Sequence, residues 1–476
     1  IDATIKELTK DETFDFEIYF SEVFHEKGGF DVVIGNPPYI KEYTNKKAFD
    51  GLRQSPYYQG KMDLWYFFGC KGFDILKENG IESYIAPNNW ITNSGASIFR
   101  NKVINDTQIL SYIDFSDYKV FDTAGIQTMV YIISKSAEKD IYKVKYSHLN
   151  CRRQVSINDL INFLNFELKT DDIKFEAILN RQSLKDAYIE FIQPEIEQIL
   201  GKIQTNKVFL NEDEIAQGIV AAPDKCFILT NIDNYSTEEK TYIKPYYTTV
   251  EKYFLPSEKR KIIYLSDKNF CDKNIKNYPN ILKHFEPYKK VLVEAKKKYG
   301  TPNKPYYYLH RERLETFFKE GSAKLISVGR TFYPKFYYTK NAFYGSRALF
   351  FIQTQRFNLK YLNGIFNSKL INFWLYYKGK KQGEQLQIDK EPLMKIPIYK
   401  PNQDEEDKIV AIVDKIYEIT NSEDYVGNKE KQDAVKEYEK QIDIMVYKLY
   451  DLTYQEVLII DKDFSISEDE YNSYSL

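Results

Sequence analysis

The tetrapeptide Asn36-Pro37-Pro38-Tyr39 constrains the fold more than any other feature of the chain. It ends a run of apolar and β-branched residues, FDVVIG at 30–35, that reads as a buried strand. Proline has no backbone N–H and a fixed φ, so two in succession stop the hydrogen-bond ladder and turn the chain out at the strand's carboxyl end. Helix and strand signals then alternate. MDLWYFFGCKGFDILKENG at 62–80 spaces its apolar residues for a helix and ends in Asn79-Gly80, a helix stop. IESYIAP at 81–87 reads as the next strand, SGASIFRNKVIND as the next helix, and ILSYIDFS and TMVYIISK as two more strands. This order predicts an α/β fold over residues 1–148, part of a doubly wound, Rossmann-like sheet.

Residues 149–204 read as a mostly helical connector. Over 205–400 short strands separated by turn residues, among them SAKLISVGR, FYYTKN and RALFFIQT, predict an α+β domain. Within it LKYLNGIFNSKLINFWLYYKG at 359–379 has the spacing of one amphipathic helix closing at Gly379. Residues 401–476 repeat apolar positions between many charges, which predicts a helical hairpin or coiled-coil tail.

At 476 residues the chain is long enough for two or three cores. No apolar run approaches a membrane span, and the first residues, IDATIKELTK, lack a signal-peptide pattern, so a cytoplasmic, nucleoid-associated protein without a membrane partner is expected. The missing initiator Met suggests that the natural protein starts further upstream. Cys70, Cys151, Cys226 and Cys271 lie far apart, as do the four histidines, and neither set has metal-ligand or disulfide-framework spacing; the cysteines are expected to be reduced core thiols. The net charge of −2 conceals an asymmetry. Residues 241–350 hold 23 Lys and Arg against 9 Asp and Glu, a net of +14, whereas 401–476 hold 8 against 20, a net of −12. A polyanion suits the middle region, which also carries YYYLH at 306–310 and RTFYPKFYY at 330–338, aromatic runs able to stack on bases.

The residue types of the tetrapeptide suit one kind of chemistry. An exocyclic amine on adenine is a poor nucleophile, because its lone pair is delocalised into the ring. Two acceptors that pull the nitrogen towards tetrahedral geometry would let it attack a methyl sulfonium. The Asn36 side-chain oxygen and the Pro37 main-chain carbonyl are such acceptors, and Pro37 and Pro38 hold their direction. Tyr39 offers a face on which a flipped base can stack.

On these residues the sequence resembles gamma-class adenine-specific DNA methyltransferases, in the arrangement found in Type IIG restriction-modification enzymes. EIYFSEVFHEKGGFDVVIGNPPYI at 17–40, MDLWYFF at 62–68, GIESYIAPNNWITNSG at 80–95 and KVFDTAGIQTMVYII at 119–133 are similar to successive motifs of that class. Beyond residue 205, AQGIVAAPDKCFIL, AKLISVGR, FYGSRALFFI and the stretch 361–398 resemble a TaqI-like target-recognition domain. The resemblance implies S-adenosylmethionine as methyl donor, with Asn36 and Pro38 beside it, and Phe121 as a second aromatic against the target base. It implies double-stranded DNA as partner, read by the second domain, for which Arg330, Lys335, Arg347, Lys378, Lys380 and Lys381 are the candidate contacts.

The chain departs from the class in one respect. It contains no G-x-G, so the glycine loop expected before the Asn-Pro-Pro-Tyr strand, and the acidic ribose-binding residue after it, are not in this sequence. An upstream methyltransferase or nuclease portion, or a partner chain, is expected to complete the pocket, and this chain by itself is expected to be inactive. Mg²⁺ is expected only if an upstream nuclease module exists. Two alternatives remain open: a DNA specificity module that binds without chemistry, and a methyltransferase acting on protein glutamine or on RNA.

Overall fold

The computed structural model describes residues 14–121, 126–136, 138–149, 155–165, 173–184, 188–256, 260–382 and 385–475. The chain divides into two units, Ile1–Gln198 and Ile199–Leu476.

The first unit is an α/β unit built on a six-stranded sheet of β1 (Phe30–Gly35), β2 (Leu76–Pro87), β3 (Gln108–Asp114), β4 (Thr128–Ser134), β5 (Ile141–His148) and β6 (Ile173–Asn180), in the order β1-β2-β4-β3-β5-β6. β1 and β2 are parallel, as are β3 and β5, while β4 runs antiparallel to β2 and β3. Helix α1 (Ser21–Lys27) precedes β1, α2 (Trp65–Ile75) leads into β2, and α3 (Ser97–Asp106) lies between β2 and β3. Alternation along the strands places Tyr84, Ala86, Met129, Tyr131 and Ile133 in one buried cluster with Trp65, Phe73, Trp90 and Phe99.

Three elements differ from the sequence reading. β1, read as a buried strand, is exposed on one face, with Val32 and Ile34 open to solvent. Helix α2 ends at Ile75 rather than at Gly80, because Leu76 already pairs with Phe30 and Asn79 and Gly80 bond to the backbone of Lys135. The stretch read as a helical connector supplies β6, which pairs antiparallel with β5 along its whole length and buries Ala177 and Leu179.

The second unit combines three small sheets with helices. One sheet has the order β13-β11-β15-β7, from β7 (Ile215–Gln217), β11 (Lys324–Val328), β13 (Phe336–Thr339) and β15 (Leu349–Ile352). A second has the order β14-β9-β10-β8, from β8 (Ile228–Leu229), β9 (Ile243–Tyr247), β10 (Arg260–Ile263) and β14 (Tyr344–Gly345). The third joins β12 (Arg330–Thr331), β17 (Gln385–Gln387) and β16 (Lys380–Gln382). The single helix expected over 359–379 is two, α4 (Leu359–Phe366) and α5 (Lys369–Lys378). Ser368 breaks it by capping α5, and Asn367 turns its side chain onto the backbone of Phe336. The acidic C-terminal stretch forms the hairpin of α6 (Gln403–Thr420) and α7 (Lys429–Leu449). Asp443 of α7 accepts the backbone N–H of Lys369 at 2.8 Å, so the hairpin helps cap α5.

Cys70 and Cys226 are buried as expected, Cys271 is exposed instead, and Cys151 lies outside the described residues. Among the described residues no helix is long and apolar enough to cross a membrane.

Candidate active site and nucleic-acid surface

Two glycines bring the chain into β1. Gly28 closes α1 in the left-handed region, and Gly29 (φ +138°) passes so close to the start of β2 that a Cβ there would lie 2.6 Å from Lys77 N and 2.7 Å from Ile75 O. β1 then leads to Asn36, just past its carboxyl end, where ligands of open α/β sheets bind. Asn36 and Pro38 are exposed, Pro37 is buried, and Tyr39 is half-buried. The Tyr39 hydroxyl lies 2.7 Å from Asn36 Oδ1 and 2.8 Å from the carbonyl of Ile85 on β2, and donates its single proton between them. Burial, with the charge of Asp63 adding to it, pushes the Tyr39 phenol up to about 12, so it stays a donor at neutral pH.

Asp63, which sequence reasoning missed, braces this arrangement. It is 4% exposed, and Oδ1 has no hydrogen-bond partner. Backbone N–H groups of Trp65, Ile40 and Leu64 favour its charge, but burial outweighs them and holds its pKa above the ordinary carboxylate value. The main chain beside it is pinned as well: Leu64 N donates to Ile40 O at 2.9 Å, and Glu42 N to Met62 O at 3.0 Å. The segment leaving Tyr39 is thus stitched to the segment entering α2. In the sequence Asp63 stands within the MDLWYFF run, just ahead of a helix, with no role of its own assigned there.

The neighbouring strand ends are polar. Asn88, after β2, donates to Asp114 Oδ1 at 3.0 Å, Ser116 N donates to the same oxygen at 2.8 Å, and His148 Nδ1 lies 3.6 Å from Asp114 Oδ2. Phe121 is half-buried in a bend that leads into 122–125, which lie outside the described residues. The structure records no ring contact between it and Tyr39.

The six basic candidates of the second unit fall into two kinds. Arg330 on β12 and Arg347 in the turn between β14 and β15 are exposed. Lys335 bonds to Glu251 at 2.7 Å, and Lys380 pairs with Glu391 at 2.6 Å and Asp389 at 3.3 Å. Lys381 lies 3.4 Å from the ring centroid of Tyr376, and Lys378 ends α5. The aromatic run at 306–310 is mostly committed to packing: Tyr308 and Leu309 are in the core, and Tyr306 and Tyr307 pack against it.

The chain is similar to several known proteins. Residues 2–121 match the family model of the Eco57I restriction-modification methylase. The Type II methyltransferase M.HindII of Haemophilus influenzae is 23% identical over 402 residues, which cover 78% of this chain and 75% of that protein. The Type II restriction enzyme and methyltransferase RM.Eco57I of Escherichia coli is 29% identical over 125 residues, 24% of this chain and 12% of that one. Among solved structures, the Type IIL restriction-modification enzyme MmeI in complex with DNA superposes with a TM-score of 0.56 at 13% identity, covering 93% of this chain. This chain spans 57% of the length of that one, and the likeness is one of fold. Residues 2–121 thus resemble a restriction-modification methylase of the Eco57I kind, in a chain similar to Type II methyltransferases.

Proposed function

We propose that the chain belongs to a site-specific DNA methyltransferase that moves a methyl group from S-adenosylmethionine to the N6 amine of adenine, in a Type IIG restriction-modification setting. Residues 1–148 would carry the chemistry, 149–204 connect, 205–400 read DNA, and 401–476 form the helical tail. One observation carries the reading: an exposed Asn36 at the carboxyl end of β1, whose side-chain oxygen is already held by the Tyr39 hydroxyl.

A carboxamide oxygen has two lone pairs. Tyr39 engages one and thereby sets the direction of the other, which is left for an amine N–H. The Pro37 carbonyl is the second acceptor, and the buried Pro37 ring keeps it from swinging. Two acceptors on one amine draw its lone pair out of conjugation, and holding the nitrogen in place removes much of the entropic barrier. Tyr39 and Phe121 are the aromatic faces proposed for the flipped base. The run Gly35–Ile40 holds acceptor oxygens and no cationic side chain, which fits the sulfonium end of the donor beside Asn36 and Pro38. S-adenosylmethionine, when bound, supplies the electrophilic methyl group.

Double-stranded DNA as the partner is supported by the net charge of +14 over 241–350, by the exposed Arg330 and Arg347, and by the fold shared with MmeI, which was solved bound to DNA. The test is transfer of tritiated methyl from S-adenosylmethionine to mixed-sequence duplex DNA by this chain, expressed with whatever coding sequence precedes Ile1, with Asn36→Ala as control. Label in N6-methyladenine that disappears in the variant supports the reading. Label in protein or RNA, with none in DNA, replaces it by a glutamine or RNA methyltransferase. Duplex binding without any transfer leaves a specificity module.

A further inference from the structure

The aromatic run RTFYPKFYY at 330–338 is divided by the fold. Phe336 and Tyr337 are buried on β13, and Tyr338 is half-buried. Phe332 and Tyr333, on the bend between β12 and β13, stay 63% and 47% exposed. The two rings are adjacent in the chain and both face solvent.

The bend is anchored at both ends. At Gly329 the chain crosses from the β11 sheet to the β12 sheet: its N–H donates to Ala348 O at 2.8 Å, and its carbonyl accepts from Ile388 N at 2.9 Å. A Cβ there would lie 2.9 Å from both Ala348 O and the Phe350 ring, closer than a side chain is tolerated without a shift. Thr331 Oγ1 donates to the Tyr333 carbonyl at 2.7 Å and closes the bend. Pro334 is buried, and Lys335 lies 5.2 Å from the Tyr333 ring centroid while bonded to Glu251. Phe332 is therefore an exposed ring on a held base.

Its surroundings are those of a nucleic-acid surface. Arg330, two residues earlier, is exposed and pairs in register with Gln387, which pairs in turn with Lys380. Elsewhere in the second unit, Tyr376 is 53% exposed under the Lys381 ammonium. The surface around a protein-binding aromatic anchor is usually poor in lysine, whereas a net of +14 across 241–350 suits a polyanion. Apolar side chains presented beside arginine and amide groups insert between base steps and kink the duplex.

We propose that Phe332 is a wedge that enters the stack of duplex DNA between two base pairs, with Arg330 on the flanking backbone. This rests on the DNA reading above and adds to it a residue whose contribution is stacking rather than charge.

The experiment uses the whole chain, a short duplex that the unaltered chain selects from a random-sequence pool, and the variants Phe332→Ala and Phe332→Trp. Phe332→Ala is expected to weaken duplex binding about tenfold, the scale of one lost base–aromatic contact, at an unchanged melting temperature. Phe332→Trp should keep affinity. The native tryptophans Trp65, Trp90 and Trp374 are 0%, 0% and 3% exposed, so the exposed emission reports position 332. That emission should be quenched by DNA and become shielded from acrylamide. Unchanged affinity in Phe332→Ala, or acrylamide access that DNA does not alter in Phe332→Trp, overturns the wedge while leaving the DNA reading intact. If the alanine variant does not fold, the tryptophan variant decides. Failure of the unaltered chain to retain any duplex overturns both.

Discussion

The Tyr39 hydroxyl sits 2.7 Å from Asn36 Oδ1, so the aromatic residue proposed to face the base also orients the proposed acceptor. The two roles separate by substitution. Asn36→Ala removes the acceptor and should lower methyl transfer by about a hundredfold or more, as loss of one transition-state hydrogen bond does elsewhere. Tyr39→Phe keeps the ring and removes the restraint on Asn36 together with the bond to the Ile85 carbonyl, for which a loss of roughly three- to tenfold in kcat is expected, with KM for DNA little changed. A Tyr39→Phe enzyme as weak as Asn36→Ala would show that the hydroxyl does more than orient.

Gly29 makes a prediction about folding rather than chemistry. Its φ of +138° and the 2.6 Å approach to Lys77 N leave no place for a methyl group, and the opposing atoms are backbone. Gly29→Ala should destabilise the first unit by about 2 kcal/mol or more, with the neighbouring Gly28→Ala, which meets nothing within 4 Å, costing less. Melting of both variants by circular dichroism decides; equal losses would mean that φ alone, not the close contact with β2, sets the requirement.

These two sites show what was legible in the sequence and what was not. The strand FDVVIG and its proline stop were readable because both signals are local, and the order of elements that follows was readable because each keeps its own period. Asp63 was not readable: its burial beneath the Tyr39 segment depends on backbone N–H groups brought together from residues 40, 64 and 65. β6 was missed because its alternation is incomplete and its partner, β5, supplies the missing order. The split of α4 from α5 at Ser368 was hidden by a continuous apolar period, since a cap and a helical serine look alike until the Asp443 carboxylate arrives from 74 residues away. Among aromatic residues, composition marked a stacking surface but could not separate the buried Tyr308 from the exposed Phe332.

Asp443 predicts a pH dependence of stability. Burial pushes its carboxyl up to about 7 from 3.8, against the Lys369 N–H and the nearby Lys252 and Lys369 ammoniums, with Glu439 adding to the rise. The folded state then keeps a proton that the unfolded chain releases, so this group's contribution declines as pH rises from about 4 through about 7. Asp443→Asn retains an acceptor for Lys369 N–H and removes the charge. Its melting temperature should match the unaltered chain near pH 4 and exceed it by several degrees at pH 8. A variant less stable at pH 8 would show that the charged bond to the α5 N-terminus outweighs desolvation.

The division of the basic candidates into exposed and paired makes the last prediction, and salt is the lever that reads it. Each phosphate contact releases condensed counterions, so the slope of log K against log salt for duplex binding falls by about one per lost contact. Arg330→Ala and Arg347→Ala should each lower the slope by that amount, because both side chains are exposed. Lys335 and Lys380 are held by Glu251 and by Asp389 with Glu391, so a phosphate would have to displace a carboxylate already in place. Their alanine variants should change the slope by less than about half a contact, and any loss of affinity should appear as lost stability instead. Four equal changes in slope would mean that these carboxylates let go on binding, and that the ion pairs of the free chain do not describe the DNA-bound one.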